Sequence, residues 1–285
     1  MPVMLKPDYR AIQRRWNDTR SPDRLIAHYE LERRLADRLR SAARDERSRL
    51  YAEVYSELFN SLPDHPQLRG GGRSRPERVV RQVRLLKPLM ARGGVYLEIG
   101  AGDALLPYAL STIAREVLGL DVTDALVDFT AAPANFRFVK TDGIGIPLAD
   151  NSVDLANSDQ LMEHLHVDDA RDQLREIHRV LRPGGRYVCT TPSIVTGPHD
   201  ISALVDDVAT GMHMREYDYR SLRTLILAAG FRRVKFPLVI AGYKLATPPY
   251  WLLRGIERAL GRLPMHLRRS QLVGALMGIT AIATK

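Results

Sequence analysis

The stretch Val95-Tyr96-Leu97-Glu98-Ile99-Gly100-Ala101-Gly102-Asp103 decides the fold of this chain of 285 residues. Its first five residues form a short apolar run that predicts a buried strand, and a glycine pair follows at once. Glycine tolerates the backbone angles of a sharp turn and lets a ligand approach the main chain. Such a turn leads into a helix, whose first amide groups bind phosphate-like or nucleotide-like groups. The stretch therefore predicts an α/β sheet with a nucleotide-like ligand at this turn.

The sequence after Gly94 alternates between short apolar runs and helical patterns, which is typical of a parallel sheet covered on both faces. Helices are predicted at 168–181 and 219–229. The predicted strands are 95–99, 116–120, 137–140, 153–157, 185–190, 232–240 and 278–285.

Residues 1–74 have leucines and aromatic residues at helical spacing, and they are predicted to form a helical N-terminal extension. Residues 75–285 are predicted to form the main domain. An amphipathic insertion, 245–272, interrupts this domain between its last two strands. Its segment 250–270 sets apolar residues against arginines, a pattern that fits contact with a membrane surface, a lid or packing in a homodimer.

The basic excess lies in the first third of the chain. Residues 1–92 have 21 Lys and Arg residues against 12 Asp and Glu, whereas residues 93–285 have 21 of each. A basic surface attracts nucleic acid, anionic lipid or an acidic substrate. Acidic residues interleave with these arginines, and aromatic-plus-basic RNA motifs are absent. The pattern therefore favours a solvated helical surface over nucleic-acid binding.

The single cysteine, Cys189, excludes a disulfide framework and indicates a reducing, cytoplasmic setting. The chain has no run of eighteen apolar residues, so no membrane-spanning helix is predicted. Charged residues such as Asp8 and Arg10 interrupt the N-terminal sequence, which does not look like a signal peptide.

Two classes of cofactor compete for the glycine turn. A dinucleotide site needs a small residue three positions after the second glycine, where this chain has Leu105. Glu98 instead stands two residues before the first glycine. Asp121, at the end of the next predicted strand, can accept hydrogen bonds from two ribose hydroxyls. The residues thus disfavour a dinucleotide.

Several blocks, in order and spacing, resemble the class I S-adenosylmethionine (SAM)-dependent methyltransferase family, close to its ubiquinone and menaquinone methyltransferases. The resemblance covers roughly residues 75–240 and implies a Rossmann-like, seven-stranded, mostly parallel sheet whose last strand runs antiparallel. The blocks that carry it are 98–103, 141–148, 151–155, 160–165 and 174–185.

The same resemblance implies which residues hold SAM. The turn of Gly100, Ala101 and Gly102 would back the methionine portion, and Glu98 would orient it. Asp121 would hold the ribose. The remaining implied contacts are Val122, Asp142 and Gly143 around the adenine, and Asn157 and Ser158 on the methyl-transfer side.

Three histidines are candidates for the acceptor side. A hydroxyl acceptor needs a base, and ligands in open α/β sheets sit at the carboxyl ends of the strands. His164 follows the fourth strand and is the first choice as base, while His199 and His213 lie in segments after the fifth. Residues 196–231 also resemble bacterial methyltransferases of saccharides and secondary metabolites, which implies a glycan or small-molecule hydroxyl as the acceptor.

Three further questions stay open. An RNA or protein methyltransferase that uses the basic N-terminal region is one alternative, and a SAM-binding protein without turnover is another. The sequence has no Cys/His zinc spacing. Its acid pairs, Asp168-Asp169 and Asp206-Asp207, suit a divalent ion only if their side chains converge, so no metal ligands are predicted.

Overall fold

A computed structural model describes residues 3–68, 76–270, 273–274 and 277–285. Ser21 starts the long second helix by accepting a hydrogen bond from the Arg24 amide, with Pro22 in the first helical position. The α-helices are α1 (Tyr9–Arg15), α2 (Pro22–Ser41), α3 (Arg44–Ser61), α4 (Pro76–Leu86), α5 (Leu105–Leu110), α6 (Val167–Val180), α7 (Tyr219–Ala228), α8 (Tyr250–Gly261) and α9 (Met265–Arg268).

Seven strands form one sheet in the order β3-β2-β1-β4-β5-β9-β6. β1 pairs in parallel with both β2 and β4, while β9 runs antiparallel to β5 and β6. The predicted Rossmann-like sheet with an antiparallel last strand is therefore confirmed. The strands are β1 (Val95–Ile99), β2 (Glu116–Asp121), β3 (Phe136–Lys140), β4 (Val153–Asp159), β5 (Leu181–Thr191), β6 (Arg233–Lys235), β7 (Leu238–Ile240), β8 (Tyr243–Ala246) and β9 (Ile279–Thr284).

The prediction of one continuous strand over 232–240 is wrong. Pro237 lies between β6 and β7, and proline has no amide hydrogen to donate to a ladder. β7 leaves the main sheet and pairs antiparallel with β8. The two residues that join them, Ala241 and Gly242, both have positive φ angles of 51° and 84°, as in the tight turns that suit twisted hairpins.

The N-terminal helices share their core with the sheet. Leu35 and Leu39 of α2 and Val54 and Leu58 of α3 are buried in the same apolar cluster as Leu97 of β1. Burial of apolar area is the main favourable contribution to folding, so α2 and α3 stabilise the sheet and are stabilised by it. The predicted domain boundary at 74/75 falls in 69–75, outside the described residues, and it stays a prediction.

A buried ion pair fastens α3 to α6. Arg47 donates from Nε and Nη2 to the Asp169 carboxylate at 2.6 and 2.7 Å, and both side chains are at most 5% exposed. Tyr51 donates to the same carboxylate at 2.8 Å and accepts from the His166 amide at 2.9 Å. The start of α6 therefore holds α3 in place through two side chains.

We expect Arg47→Ala to lower the free energy of unfolding by about 3–5 kcal/mol, because it leaves the Asp169 charge buried without its partner. Arg34→Ala is the matched control, since Arg34 pairs with Glu57 in a bridge that is 63% and 37% exposed. That change should cost about 1 kcal/mol or less. Urea unfolding of both variants measures the difference, and equal losses would contradict a special role for the buried pair.

Candidate active site

The glycine turn lies between the ends of β1 and β2. Gly100 and Ala101 both donate their amides to the Leu120 carbonyl, at 2.8 and 3.0 Å. Gly100 has φ +73°, and a Cβ there would lie 3.1 Å from the Leu161 side chain. Gly102 has φ +53°, and its Cβ position has no neighbouring atom within 4 Å. The turn is thus tied to β2 on one side and faces open space at Gly102.

Asp121 ends β2 and fixes the turn. Its Oδ2 accepts from the Gly102 amide at 2.9 Å, and its Oδ1 accepts from the Val122 amide at 2.7 Å. Burial raises the pKa of Asp121, and these amide hydrogen bonds oppose that rise. The carboxylate stands beside the turn as the sequence predicts, and ribose binding stays a prediction for it.

Glu98 and Asn157 are register partners on β1 and β4. Glu98 accepts from the Tyr96 hydroxyl at 3.3 Å, and burial raises its pKa well above the usual range. The buried Asn157 Nδ2 has no hydrogen-bond partner among the described residues. Ser158, by contrast, shares a 2.6 Å hydrogen bond with the Tyr187 hydroxyl inside the core, and its place on the methyl-transfer side stays a prediction.

The adenine-side residues lie beneath α3. A Cβ on Gly143 would be 3.3 Å from Tyr51 Cδ2 and 3.3 Å from Val122 Cγ1. Asp142 accepts from the Ile144 amide at 2.9 Å and shapes the turn that follows β3. Val122 and Gly143, both predicted to contact the adenine, do lie together. Nothing in the sequence indicated that Tyr51, from the N-terminal extension, lies next to them.

Two of the three predicted histidines lie together. The rings of His164 and His213 meet edge to face with centroids 4.8 Å apart. His164 Nδ1 donates to the Met212 carbonyl at 3.2 Å, and His213 Nδ1 donates to Glu216 Oε1 at 2.9 Å. His199 is exposed, and its Nε2 bonds Thr196 Oγ1 at 2.9 Å. Its amide donates at 2.6 Å to Glu216 Oε1, the same oxygen that accepts from His213.

The charges of these two histidines differ. Burial, with repulsion from His213, lowers the pKa of His164 to about 3, so His164 is a weak base. Burial also disfavours the charged form of His213, but the hydrogen bond to Glu216 and the nearby Asp200 and Glu163 carboxyls outweigh it. They raise the pKa of His213 to about 9. The base role of His164 stays a prediction.

Sequence reasoning missed Glu163. This side chain is fully buried, and its Oε2 accepts from Thr191 Oγ1 at 2.9 Å. Its Oε1 has no partner in the described part of the chain. Burial raises the pKa of Glu163 to about 7, against the attraction of His213. A buried carboxyl poised near neutrality is typical of a functional site.

The helix α2 holds the loop that carries His213. Glu32 Oε2 accepts from the Met212 amide at 3.1 Å, and Arg40 donates to the Thr210 and Gly211 carbonyls at 3.2 and 3.1 Å. These bonds reach main-chain groups, so α2 fixes the path of the loop. We call residues 210–216 the histidine loop.

The acidic pairs do not converge on an ion. Asp169 is paired with Arg47, whereas Asp168 is close to Arg171 at 3.7 Å. Asp207 accepts from Lys6 at 2.6 Å. Three of these four carboxylates therefore lie next to basic side chains, while Asp206 accepts from the Asp207 amide at 2.7 Å.

The insertion contains the helices α8 and α9, and α8 packs one face against the body of the protein. Leu253 and Glu257 of α8 are buried, while Trp251 is 72% exposed and Leu252 and Ile256 are exposed beside it. Contact with a membrane surface through 250–270, and homodimer formation, stay predictions. Within the described residues, no helix is long and apolar enough to cross a membrane.

Residues 97–189 match a family described as "Methyltransferase domain". A protein of Mycolicibacterium smegmatis named "Probable S-adenosylmethionine-dependent methyltransferase" is 34% identical over 140 residues, which cover 47% of this chain and 51% of the relative. A demethylmenaquinone methyltransferase of Staphylococcus epidermidis is 32% identical over 114 residues, which cover 38% and 46%. The chain thus spans about half the length of these curated relatives.

The fold is also similar to that of a solved structure, Burkholderia thailandensis 1,6-didemethyltoxoflavin-N1-methyltransferase with 1,6-didemethyltoxoflavin and S-adenosylhomocysteine bound. The TM-score is 0.54 at 17% identity, over 86% of this chain and 91% of that one. The sequence matches fall on the strands and turns that build the glycine site, and the sheet has the same general fold. Residues 97–189 therefore match a methyltransferase domain, and the sheet has the fold of class I SAM-dependent methyltransferases.

Proposed function

We propose that the chain transfers a methyl group from SAM to an oxygen of a small molecule, such as a saccharide hydroxyl. One observation carries the proposal for an oxygen acceptor. Buried Glu163 has one oxygen without a hydrogen-bond partner among the described residues, and this carboxyl lies beside His164 and His213, near the end of β4. Support for a saccharide comes from the resemblance of residues 196–231 to bacterial saccharide methyltransferases.

The residues at the glycine turn fit SAM. The open space at Gly102 leaves room for a ligand against the main chain. Within the described part of the chain, the buried Asn157 Nδ2 has no acceptor, and leaving a buried donor unpaired costs free energy. Asp121 lies at the end of β2, where ligands bind in sheets of this type. When bound, SAM supplies a methyl group made electrophilic by its sulfonium sulfur.

Transfer to a hydroxyl forms a carbon–oxygen bond and breaks a carbon–sulfur bond, whose electron pair stays on sulfur. The hydroxyl proton must leave as well, and a base poised near the working pH does this best. Of the three clustered groups, His164 is a weak base and His213 already has its proton. Glu163, with a pKa of about 7, is the best proton acceptor of the three in the metal-free protein.

Binding of the demethylated product tests the cofactor half. We expect S-adenosylhomocysteine to raise the Tm of the full chain by ligand linkage, and Asp121→Ala to remove that shift. Release of S-adenosylhomocysteine from SAM, measured against a panel of saccharides and phenols, tests the acceptor half. A well-folded chain with no Tm shift would overturn the proposal. A shift without turnover on any acceptor would favour a binding protein.

The basic N-terminal region gives little support to an RNA methyltransferase. Five of its arginines have acidic partners within the chain: Arg20 with Asp18, Arg24 with Asp64, Arg38 with Glu57, Arg44 with Asp172 and Arg47 with Asp169. Arginines engaged in this way are less available to neutralise phosphates. Nucleic-acid binding that weakens steeply with salt would revive that alternative.

A further inference from the structure

Glu163, His164 and His213 each offer one ligand atom, and these three atoms lie within 4.8 Å of one another. Zinc bound to nitrogen at about 2.1 Å in a tetrahedral site spaces its ligand atoms about 3.4 Å apart. Small side-chain rotations would therefore close the cluster around an ion. Two histidines and one carboxylate form a donor set that suits divalent transition metals and leaves a coordination position open.

Each member of the cluster is held through one atom. His213 Nδ1 donates to Glu216, and His164 Nδ1 donates to the Met212 carbonyl, which leaves Nε2 of each ring for another partner. Glu163 Oε2 accepts from Thr191, while Oε1 is unpartnered in the part of the chain that the structure describes. Histidine ligands of metals are usually oriented in this way, by a carboxylate or a carbonyl on the second nitrogen.

A second cluster of possible metal ligands consists of His28, Glu32 and His65, and its hydrogen bonds differ from those of the first cluster. His28 Nε2 donates to Glu32 Oε1 at 2.7 Å, and Arg20 donates to His28 Nδ1 at 2.9 Å. The other Glu32 oxygen accepts from the Met212 amide. Both His28 nitrogens and both Glu32 oxygens therefore have partners, and the Arg20 guanidinium adds a positive charge that disfavours a cation. This cluster reads as structural.

We propose that Glu163, His164 and His213 bind one divalent transition-metal ion. The position of the cluster in the fold would place this ion close to the glycine turn. Leu161, two residues before Glu163, packs against Gly100 of the glycine turn. An ion held there acts as a Lewis acid toward an acceptor oxygen and lowers the pKa of the bound hydroxyl. Glu163 is then a ligand, and the hydroxyl proton passes to solvent. This catalytic use, unlike the binding site itself, rests on the proposed function.

The test uses the full chain after removal of metal with a chelator. Titration calorimetry with Zn²⁺, and the visible absorption of bound Co²⁺, should report one saturable ion per chain. His213→Asn should weaken Zn²⁺ binding by about 100-fold or more. Glu216→Gln, which removes only the carboxylate behind His213, should weaken it by about 10- to 100-fold. His28→Asn is the matched control and should leave the affinity unchanged.

No saturable binding by the folded wild-type chain would overturn the site, and so would loss of binding in His28→Asn with retention in His213→Asn. S-adenosylhomocysteine binding checks the folding of each variant. If the chain bound the metal ion but not S-adenosylhomocysteine, the metal site would be supported and the proposed methyl transfer would be contradicted. Methyl transfer at full rate by the chelated chain would overturn the catalytic use of the ion.

Discussion

Replacing Gly102 with valine is expected to weaken S-adenosylhomocysteine binding by about 100-fold or more, which corresponds to about 3 kcal/mol. The Cβ position of Gly102 faces open space beside the turn, so the added methyl groups occupy the volume that the ligand needs. The Gly102 amide is also bonded to Asp121, so a shift of the main chain would disturb the carboxylate as well.

Gly93→Val is the matched control for this change. Gly93 also has a positive φ, 66°, and open space at its Cβ position, but it lies in the turn before β1. Both substitutions place a side chain in a left-handed conformation and should cost about 1–2 kcal/mol of stability. Calorimetric titration should therefore show lost binding in Gly102→Val alone. Equal binding by the two variants would place the ligand elsewhere.

Glu163→Gln is expected to lower kcat by about 100- to 10,000-fold while product affinity stays within about twofold of the wild type. The amide removes both the proton-accepting oxygen and the negative charge beside the two histidines. Glu257→Gln is a suitable control because Glu257 is equally buried but bonds Tyr219 and Arg254 at α8. Unchanged turnover in Glu163→Gln would show that this carboxyl takes no part in the reaction.

The same Glu163→Gln variant should be more stable than the wild type at pH 8. A carboxyl whose pKa rises from 4.5 to about 7 on folding opposes folding once the pH exceeds 4.5, and its cost is fully present above pH 7. That cost is on the order of 3 kcal/mol. Urea unfolding of the chelated proteins should therefore show a gain at pH 8 that disappears near pH 4. An equal difference at both pH values would contradict the raised pKa.

The sheet could be predicted because its signals are local. The central strand β1 is a short apolar run, and the glycines at 100 and 102 stand where this strand must turn into α5. The break in the strand predicted over 232–240 was also visible, since Pro237 cannot donate within a ladder. The cofactor side could thus be located from short stretches of sequence, although the roles of its residues remain to be tested.

The acceptor side could not be predicted in the same way because its properties arise between distant segments. Glu163 stands in a block that the sequence singled out, but its burial and its unpartnered oxygen depend on Thr191 and on the packing around them. His213 becomes a cation because the chain brings Glu216, Asp200 and Glu163 close to one ring. Tyr51 lies next to Gly143, a residue predicted to contact the adenine. It comes from α3, which lies outside the sequence blocks that resemble the family.

Helix α2 fixes the main chain of the histidine loop through contacts with backbone groups. Arg40 contacts the carbonyls of Thr210 and Gly211, and Glu32 contacts the amide of Met212. Such contacts do not depend on the side chains that the loop presents, as long as glycine is kept at 211, where a Cβ would lie 2.6 Å from Glu32 Oε2. Met212 is buried in the core and Thr210 bonds the Tyr29 hydroxyl, so these two side chains belong to the scaffold. Relatives with the same N-terminal helix could instead exchange the half-buried residue at 214 and the exposed residue at 215, and evolve toward new acceptors, while the path of the loop is kept.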